Sequence, residues 1–303
     1  MGKISVVINT LNEEKNIVEA IDSAKKLSDD IVVVDMKSED RTREIARKKG
    51  AKVYEFKKVG YVEPARNYAI SKAINEWVFI LDADERIPNS LVKKIKKIVK
   101  KSKADYYRVP RKNIIFGKWI KYSRWWPDFN IRLFKKGSVS WSELIHSVPM
   151  TQGKGVDLPE KEEFALVHDH YQTIDQYLER MNRYTSIQAK MLIDDNYKFI
   201  WKDLVKKPAS EFISRYFVGE GYKDGLHGLT LSLLQAFSEA VMYLKVWQEE
   251  KFLAQTISIG EIAKETKEIG KEFNWWLLTS LINAKKAVSS LSLRIQKKLL
   301  ERK

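Results

Sequence analysis

Apolar and polar residues follow two different rhythms along this chain. In the first eighty positions, short β-branched runs at residues 4–8, 31–34, 53–56 and 77–81 read as strands. Between them, residues 13–27, 41–49 and 62–73 carry apolar side chains at helical spacing with few breakers. This alternation predicts an α/β fold, a mostly parallel sheet flanked by helices, with crossovers long enough for right-handed connections. From 88 to 103 the residues Leu91, Ile95, Ile98 and Val99 mark one face of a helix and seven lysines the other. Residues 105–150 read as shorter strands and loops rich in aromatics, and beyond about 170 the pattern is helical to the end. No internal repeat or Gly/Ser linker intervenes. The expected organisation is an α/β domain over 1–170 and a helical C-terminal region over 171–303.

Composition narrows the class. The chain has 303 residues, no Cys, and 55 Lys+Arg against 40 Asp+Glu, a formal charge of +15. Thiolate zinc sites, disulfides and cysteine nucleophiles are excluded. The apolar run at 4–8 is too short for a signal-peptide core, so a cytoplasmic location is expected. The longest uncharged run, 225–238, is 14 residues, short of the roughly 18 that a spanning helix needs. The positive surplus asks for an anionic partner: a membrane surface, a nucleic acid or a phosphorylated substrate.

No Gly-rich dinucleotide fingerprint or phosphate-binding P-loop motif occurs, which removes the main support for a dehydrogenase or a P-loop kinase. Instead, carboxylates gather where strands end. Strand one runs into Asn9-Thr10-Leu11-Asn12-Glu13-Glu14, strand two into Asp35, and strand four into Asp82-Ala83-Asp84-Glu85. Ligands bind at that edge in open α/β sheets. An acidic cluster in a basic chain suits a divalent cation that in turn holds a diphosphate, since Mg²⁺ takes one or two carboxylates plus phosphate oxygens. A carboxylate at Asp35 can also accept from a nucleobase N–H.

Four segments in this order, Thr10-Leu-Asn-Glu-Glu14, Val34-Asp-Met-Lys-Ser-Glu-Asp-Arg-Thr42, Pro64-Ala-Arg-Asn67 and Ile80-Leu-Asp-Ala-Asp-Glu-Arg86, resemble the family 2 glycosyltransferases of the GT-A fold. Gly117-Lys-Trp119, Arg132-Leu-Phe134, the segment from Trp141 to His146, His168-Asp-His-Tyr171 and Gly221-Tyr-Lys-Asp-Gly225 are similar to the subgroup that contains lipopolysaccharide inner-core glucosyltransferases. The resemblance spans about residues 3–250.

That resemblance implies an inverting hexosyltransferase in which 1–170 is the nucleotide-sugar-binding catalytic domain, and 171–303 serves the membrane interface, the acceptor or dimerisation. Thr10, Leu11, Asn12 and Glu13 would cradle the nucleoside, Asp35 the base, Arg66 the diphosphate and Asp82 the ribose. Asp84, with Asp82, would hold Mg²⁺ or Mn²⁺, which neutralises charge on the departing diphosphate. An inverting transfer needs one general base, and Asp128 and Glu143 are both candidates. The sequence departs from the family at Trp126, in place of an acidic residue, and at Lys37 and Arg41, where relatives commonly carry glycines.

The implied partners are a UDP- or GDP-sugar, a lipid-linked or glycolipid acceptor and an anionic membrane surface, at the inner face of the cell membrane. A homo-oligomer stays open. Two rival readings remain beside it. The basic and aromatic stretch from 108 to 127 also suits single-stranded nucleic acid, and the altered base region also suits an inactive scaffold. A stripe of Leu277, Leu281, Ala284, Val288, Leu291 and Ile295 behind Trp275-Trp276, opposite a cationic face, favours the membrane over nucleic acid.

Overall fold

The computed structural model describes residues 3–58, 62–142, 149–284 and 291–301. The chain falls into two compact units, Met1–Ile115 with Trp126–His170, and Phe116–Trp125 with Tyr171–Lys303.

The first unit begins with β1 (Ile4–Thr10), α1 (Ile17–Lys25), β2 (Asp30–Asp35), α2 (Thr42–Lys48), β3 (Lys52–Glu55), α3 (Glu63–Lys72) and β4 (Trp77–Asp82). It continues through β5 (Glu85–Arg86), α4 (Asn89–Lys101) and β6 (Tyr106–Ile115). Past the short β7 (Lys118–Trp119) of the other unit, it resumes with β8 (Asp128–Lys135), β9 (Val139–Ser140), β10 (Met150–Thr151), β11 (Gly155–Asp157) and β12 (Leu166–Tyr171). The main sheet has the order β3-β2-β1-β4-β8-β6-β12-β5. Its first four strands are parallel, as the alternation of strands and helices predicts. The continuation is antiparallel at β4–β8 and β8–β6, so the sheet as a whole is mixed.

The runs of β1, β2 and β4 are buried on both faces, which is why they read as continuous rather than alternating. Val6, Ile8, Val33, Phe79 and Leu81 pack toward Ile17, Ile21, Leu91 and Ile95 of α1 and α4. The opposite parity, Val7, Val32, Val34, Val78 and Ile80, packs toward Ala65 and Ala69 of α3. Helix α4 buries Leu91, Val92, Ile95 and Val99, leaving its lysines outward. Where short strands were expected, β6 runs for 10 residues straight through Pro110. The β6–β8 register shifts at a bulge between Tyr107 and Arg108, and beyond it Pro110 stands opposite Phe129.

The second unit is helical: α5 (Ile174–Asp194), α6 (Trp201–Ile213), α7 (Leu226–Glu249), α8 (Ile259–Ala284) and α9 (Leu291–Glu301). Thr173 caps α5, accepting from Gln176 N at 3.1 Å, while Gln176 Oε1 accepts from Gln172 N at 2.8 Å. Lys245 on α7 ties to α5 through Asn182 Oδ1, Thr185 Oγ1 and Ser186 Oγ at 2.7, 2.8 and 2.7 Å. The buried carboxylate of Asp224 accepts the main-chain N–H groups of Lys121 and Tyr122 at 3.0 and 2.9 Å. It thereby fastens the 116–125 loop to this unit. The C-terminal stripe is divided between two helices, with Val288 outside the described residues, and α9 folds back so that Lys297 lies 3.8 Å from the ring centre of Trp275.

Candidate functional site

Two loops meet at the C-terminal ends of β1 and β2, and one supplies the hydrogen-bond acceptors of the other. The N–H groups of Asn12, Glu13 and Glu14 donate to Ser38 Oγ, Thr42 Oγ1 and Asp40 Oδ2 at 2.8, 2.8 and 3.0 Å. In return Asn12 Oδ1 accepts from Glu39 N at 2.8 Å. This stitching delays the first helix from the expected residue 13 to Ile17. Asp35 anchors it from beneath: fully buried, it accepts Ser38 N at 2.8 Å and Ser38 Oγ at 2.5 Å. Lys37 sits at φ 63°, a left-handed conformation. Such a conformation favours glycine; Arg41, at φ −81°, has no such need.

Beside these loops, three polar side-chain atoms are buried without a partner among the described residues: both amide atoms of Asn9 and Thr10 Oγ1. Asn9 pairs in register with Asp82 on β4. Buried polar groups in native folds are nearly always satisfied, so these atoms stand out at the strand edge.

The Asp82-Ala83-Asp84-Glu85 turn follows β4 and sends its carboxylates to different neighbours. Asp82 Oδ1 accepts from Arg66 at 3.2 Å and Oδ2 from Arg132 at 2.7 Å. Burial alone would raise this carboxyl, but the charges of Arg132 and Arg66 and the Arg132 hydrogen bond hold it well below the ordinary carboxylate range. Glu85, fully buried, accepts from Arg132 at 2.5 Å and from Asp82 N at 3.0 Å, closing the turn. Burial pushes its carboxyl up, against the pull of Arg132. Asp84 lies 3.3 Å from His168 Nε2, and its carbonyl accepts from Asp169 N at 3.0 Å.

Asp128, at the start of β8, pairs with Arg111 rather than with Arg132. Its Oδ2 accepts Arg111 Nε and Nη2 at 2.8 and 2.6 Å and Asn113 Nδ2 at 3.1 Å, and its Oδ1 accepts Asn130 Nδ2 at 2.9 Å. Burial raises this carboxyl, yet the Arg111 charge and these hydrogen bonds bring it below its usual value. Three carboxylates, Asp82, Glu85 and Asp128, thus face three guanidiniums, Arg66, Arg111 and Arg132. Glu143 and His146 lie outside the described residues.

A cleft of about 370 Å³ opens here, lined by Arg66, Asp82, Arg108, Arg111, Arg132 and Trp141 among others. Asn67 fixes one wall by bracketing the Trp141 backbone, donating to its carbonyl at 2.7 Å and accepting its N–H at 3.0 Å. That contact explains the Arg66-Asn67 pair in the sequence: one side chain faces the cleft and the next holds its rim. A larger groove of about 700 Å³ lies at the opposite, N-terminal strand edge between Lys3, Asp30, Lys52 and Lys100. Asp30 there is already held by Ser5 and Lys52, and Asp82, Asp84 and Glu85 are at the other edge.

Glycosyl transferase family 2 matches this chain over residues 5–151. An uncharacterized glycosyltransferase of Rickettsia typhi is 32% identical over 257 residues, covering 81% of this chain and 87% of the relative. The chain belongs to glycosyl transferase family 2. The lipopolysaccharide core biosynthesis glycosyltransferase LpsC of Rhizobium meliloti is 23% identical, covering 83% of this chain and 94% of LpsC. A crystal structure of S. aureus TarS with UDP aligns over 85% of this chain and 94% of that chain, with 16% identity and a TM-score of 0.44. The GT-A class expected from the sequence is the sheet-and-helix arrangement described above, and the protein is a glycosyltransferase.

Within this family-2 enzyme, Thr10 to Glu13, Asp35, Asp82 and Asp84 all stand at one sheet edge, with Arg66 on the adjoining α3. Arg111 and Asn113 carry no site expectation from the sequence, while Glu85, Arg132 and His168 enter it only as members of longer motifs. A signal for two of them existed: on β6 the odd positions Tyr107, Val109 and Ile115 face inward, and Arg111 and Asn113 share that parity. The basic and aromatic stretch is largely spent internally. Lys118 donates to Asp224 O at 2.6 Å, Arg124 pairs with Glu211 at 3.1 Å, and Trp119 and Trp125 bury their ring N–H groups.

Proposed function

We propose that this glycosyltransferase moves a sugar, with inversion, from a UDP- or GDP-sugar to a hydroxyl of a lipid-linked or lipopolysaccharide-type acceptor. The observation that carries the reading is the convergence of Asp84, Asp82 and Arg66 with the unpartnered atoms of Asn9 and Thr10 at one strand edge. Thr10, Leu11, Asn12 and Glu13 border the nucleoside, and Asp35 acts through Ser38 by holding the loop that carries them. Arg66, with Trp141 beneath its guanidinium at 5.6 Å, faces the diphosphate.

The donor set suits a divalent ion such as Mg²⁺ or Mn²⁺. Asp82 has both oxygens committed to arginines, whereas Asp84 meets His168 and, through it, His170. Among the described residues no group of three or more His, Asp or Glu side chains forms a ready cage. Asp84 would leave the rest of the shell to phosphate oxygens and water, as Mg²⁺ prefers. Bound there, the ion would offset charge on the leaving diphosphate.

Asp128 is the better-supported base of the two carboxylates. It is ionised at neutral pH, and Arg111, Asn113 and Asn130 hold it rigidly beside the cleft. It takes the acceptor hydroxyl's proton as that oxygen attacks the anomeric carbon and the diphosphate departs.

Lipopolysaccharide as acceptor class rests on the name of the Rhizobium meliloti relative. A role for 171–303 at a lipid surface is supported by exposure: of twenty large apolar side chains left exposed among the described residues, all but Ile74, Met150 and Val156 lie in the helical unit. No helix among the described residues is long and apolar enough to cross a membrane. Flotation with anionic liposomes, lost on truncation near residue 270, tests the surface role; equal flotation of both forms contradicts it.

UDP- and GDP-sugars offered with Mn²⁺ and lipid-linked acceptors test the transfer. Acceptor-dependent release of nucleoside diphosphate is expected, and no release with any pair overturns the reading.

A further inference from the structure

The amide of Asn9 occupies a place where burial alone calls for an apolar side chain. Asn9 is the penultimate residue of β1 and 6% exposed, and both its Nδ2 and its Oδ1 lack hydrogen-bond partners among the described residues. Side chains alternate along a strand, so Asn9 shares the side of Val7, which packs with Val34 and Ile80 toward Ala65 and Ala69 of α3. Asp82 stands beside it in register on β4. Both Asp82 oxygens are committed, Oδ1 to Arg66 of α3 and Oδ2 to Arg132. A valine or leucine at position 9 would fill the same place without burying an amide, and an unpaired buried amide costs stability. Stability is commonly given up where function needs such a group.

We propose that Asn9 is a specificity-determining residue of the nucleotide site, and that it recognises a neutral part of the nucleoside that both donates and accepts: the ribose hydroxyls or the polar edge of the base. The chemistry of the side chain selects this class. An amide offers a donor and an acceptor side by side. A phosphate oxygen only accepts, so it would pair the NH₂ and leave Oδ1 unpaired. Vicinal ribose hydroxyls serve both atoms, as does the edge of uracil or guanine, where a ring N–H lies next to a carbonyl. The conclusion holds for either orientation of the amide, because both of its atoms are unpartnered. Arg66, bound to the same Asp82, divides the work with it: a guanidinium suits the anionic end of a nucleotide and an amide the neutral end. The inference rests on the nucleotide-sugar site read under Proposed function.

Isothermal titration of the full-length protein with UDP and GDP in the presence of Mn²⁺, repeated for Asn9→Leu and Asn9→Val and combined with their thermal midpoints, tests it. Both variants are expected to melt at or above the temperature of the unsubstituted protein, yet to bind the preferred nucleotide at least about tenfold more weakly. A residue that merely packs would lose stability and affinity together. Analogues identify the source of the contact. If it is the ribose, the 2′-deoxy or 3′-deoxy nucleotide binds the unsubstituted protein as weakly as the parent nucleotide binds Asn9→Leu, and the two losses do not add. If it is the base, methylation of the ring N–H has that effect. Unchanged nucleotide affinity in folded Asn9→Leu and Asn9→Val proteins, including a lowered midpoint at unchanged affinity as the loss of a buried water would give, overturns the proposal and leaves the nucleotide site standing. Binding of all three analogues by the unsubstituted protein as tightly as the parent overturns it too. Absence of binding by both nucleotides in the unsubstituted protein would remove the nucleotide reading, and this proposal with it.

Discussion

Arg132 and Glu85 form an ion pair withdrawn from water, Nη2 to Oε1 at 2.5 Å, with side-chain exposures of 3% and 0%. The same nitrogen reaches Asp82, so one guanidinium stands between two carboxylates of the Asp82-Ala83-Asp84-Glu85 turn. Removing one partner of a buried pair costs more than the pair contributes, because the other charge is left uncompensated. Arg132→Met should therefore destabilise the protein by about 3–5 kcal/mol, measured by urea denaturation. A loss below about 1 kcal/mol would show that water reaches the turn and screens it.

Acid sensitivity should originate at the same place. Asp82 and Asp128 have folded-state affinities for protons below the ordinary carboxylate value. Their contribution to stability is therefore present above the unfolded value of about 3.9 and lost as pH falls through the folded one. Glu85 is shifted the other way, so its ionisation costs stability as pH rises and it works against the acid loss. Urea midpoints followed downward from neutral pH should drop below about pH 5, and less steeply in Asp128→Asn. Identical slopes for the two proteins would place the acid sensitivity elsewhere.

Asp128→Asn separates chemistry from binding. Loss of a general base costs about 10²–10⁴ in rate, so kcat should fall by that range while nucleotide affinity stays within about twofold. Undiminished turnover would shift the role to Glu143.

In the helical unit, Gly228 is required by close backbone approach. A Cβ there would lie 1.8 Å from the carbonyl oxygen of Gly221. Gly228→Ala should destabilise by at least about 1–3 kcal/mol, the cost of overpacking. A thermal midpoint equal to that of the unsubstituted protein would show that α7 shifts freely.

The parts of this fold that the sequence disclosed are those governed by local rhythm. Both-face burial makes β1, β2 and β4 continuous apolar runs, and the lysine face of α4 follows from a period of 3.6 residues. Site carboxylates were legible because they end strands. Their partners were not: Arg132 reaches Asp82 across 50 positions and Asn113 reaches His168 across 55. No periodicity encodes such pairings. Asp35 shows the same limit from the other side, since its position suits base recognition while its bonds go to Ser38. The ten-residue β6 was hidden by Pro110, which the strand carries in register opposite Phe129.

The central claim is a nucleotide-sugar site centred on Asp84, and isothermal titration of the full-length protein with UDP and GDP in the presence of Mn²⁺ tests it most directly. One of the two should bind, and Asp84→Ala should weaken that binding at least about tenfold, a loss of about 1.4 kcal/mol. Absence of binding by both nucleotides, or equal affinity in the Asp84→Ala protein, would contradict the account.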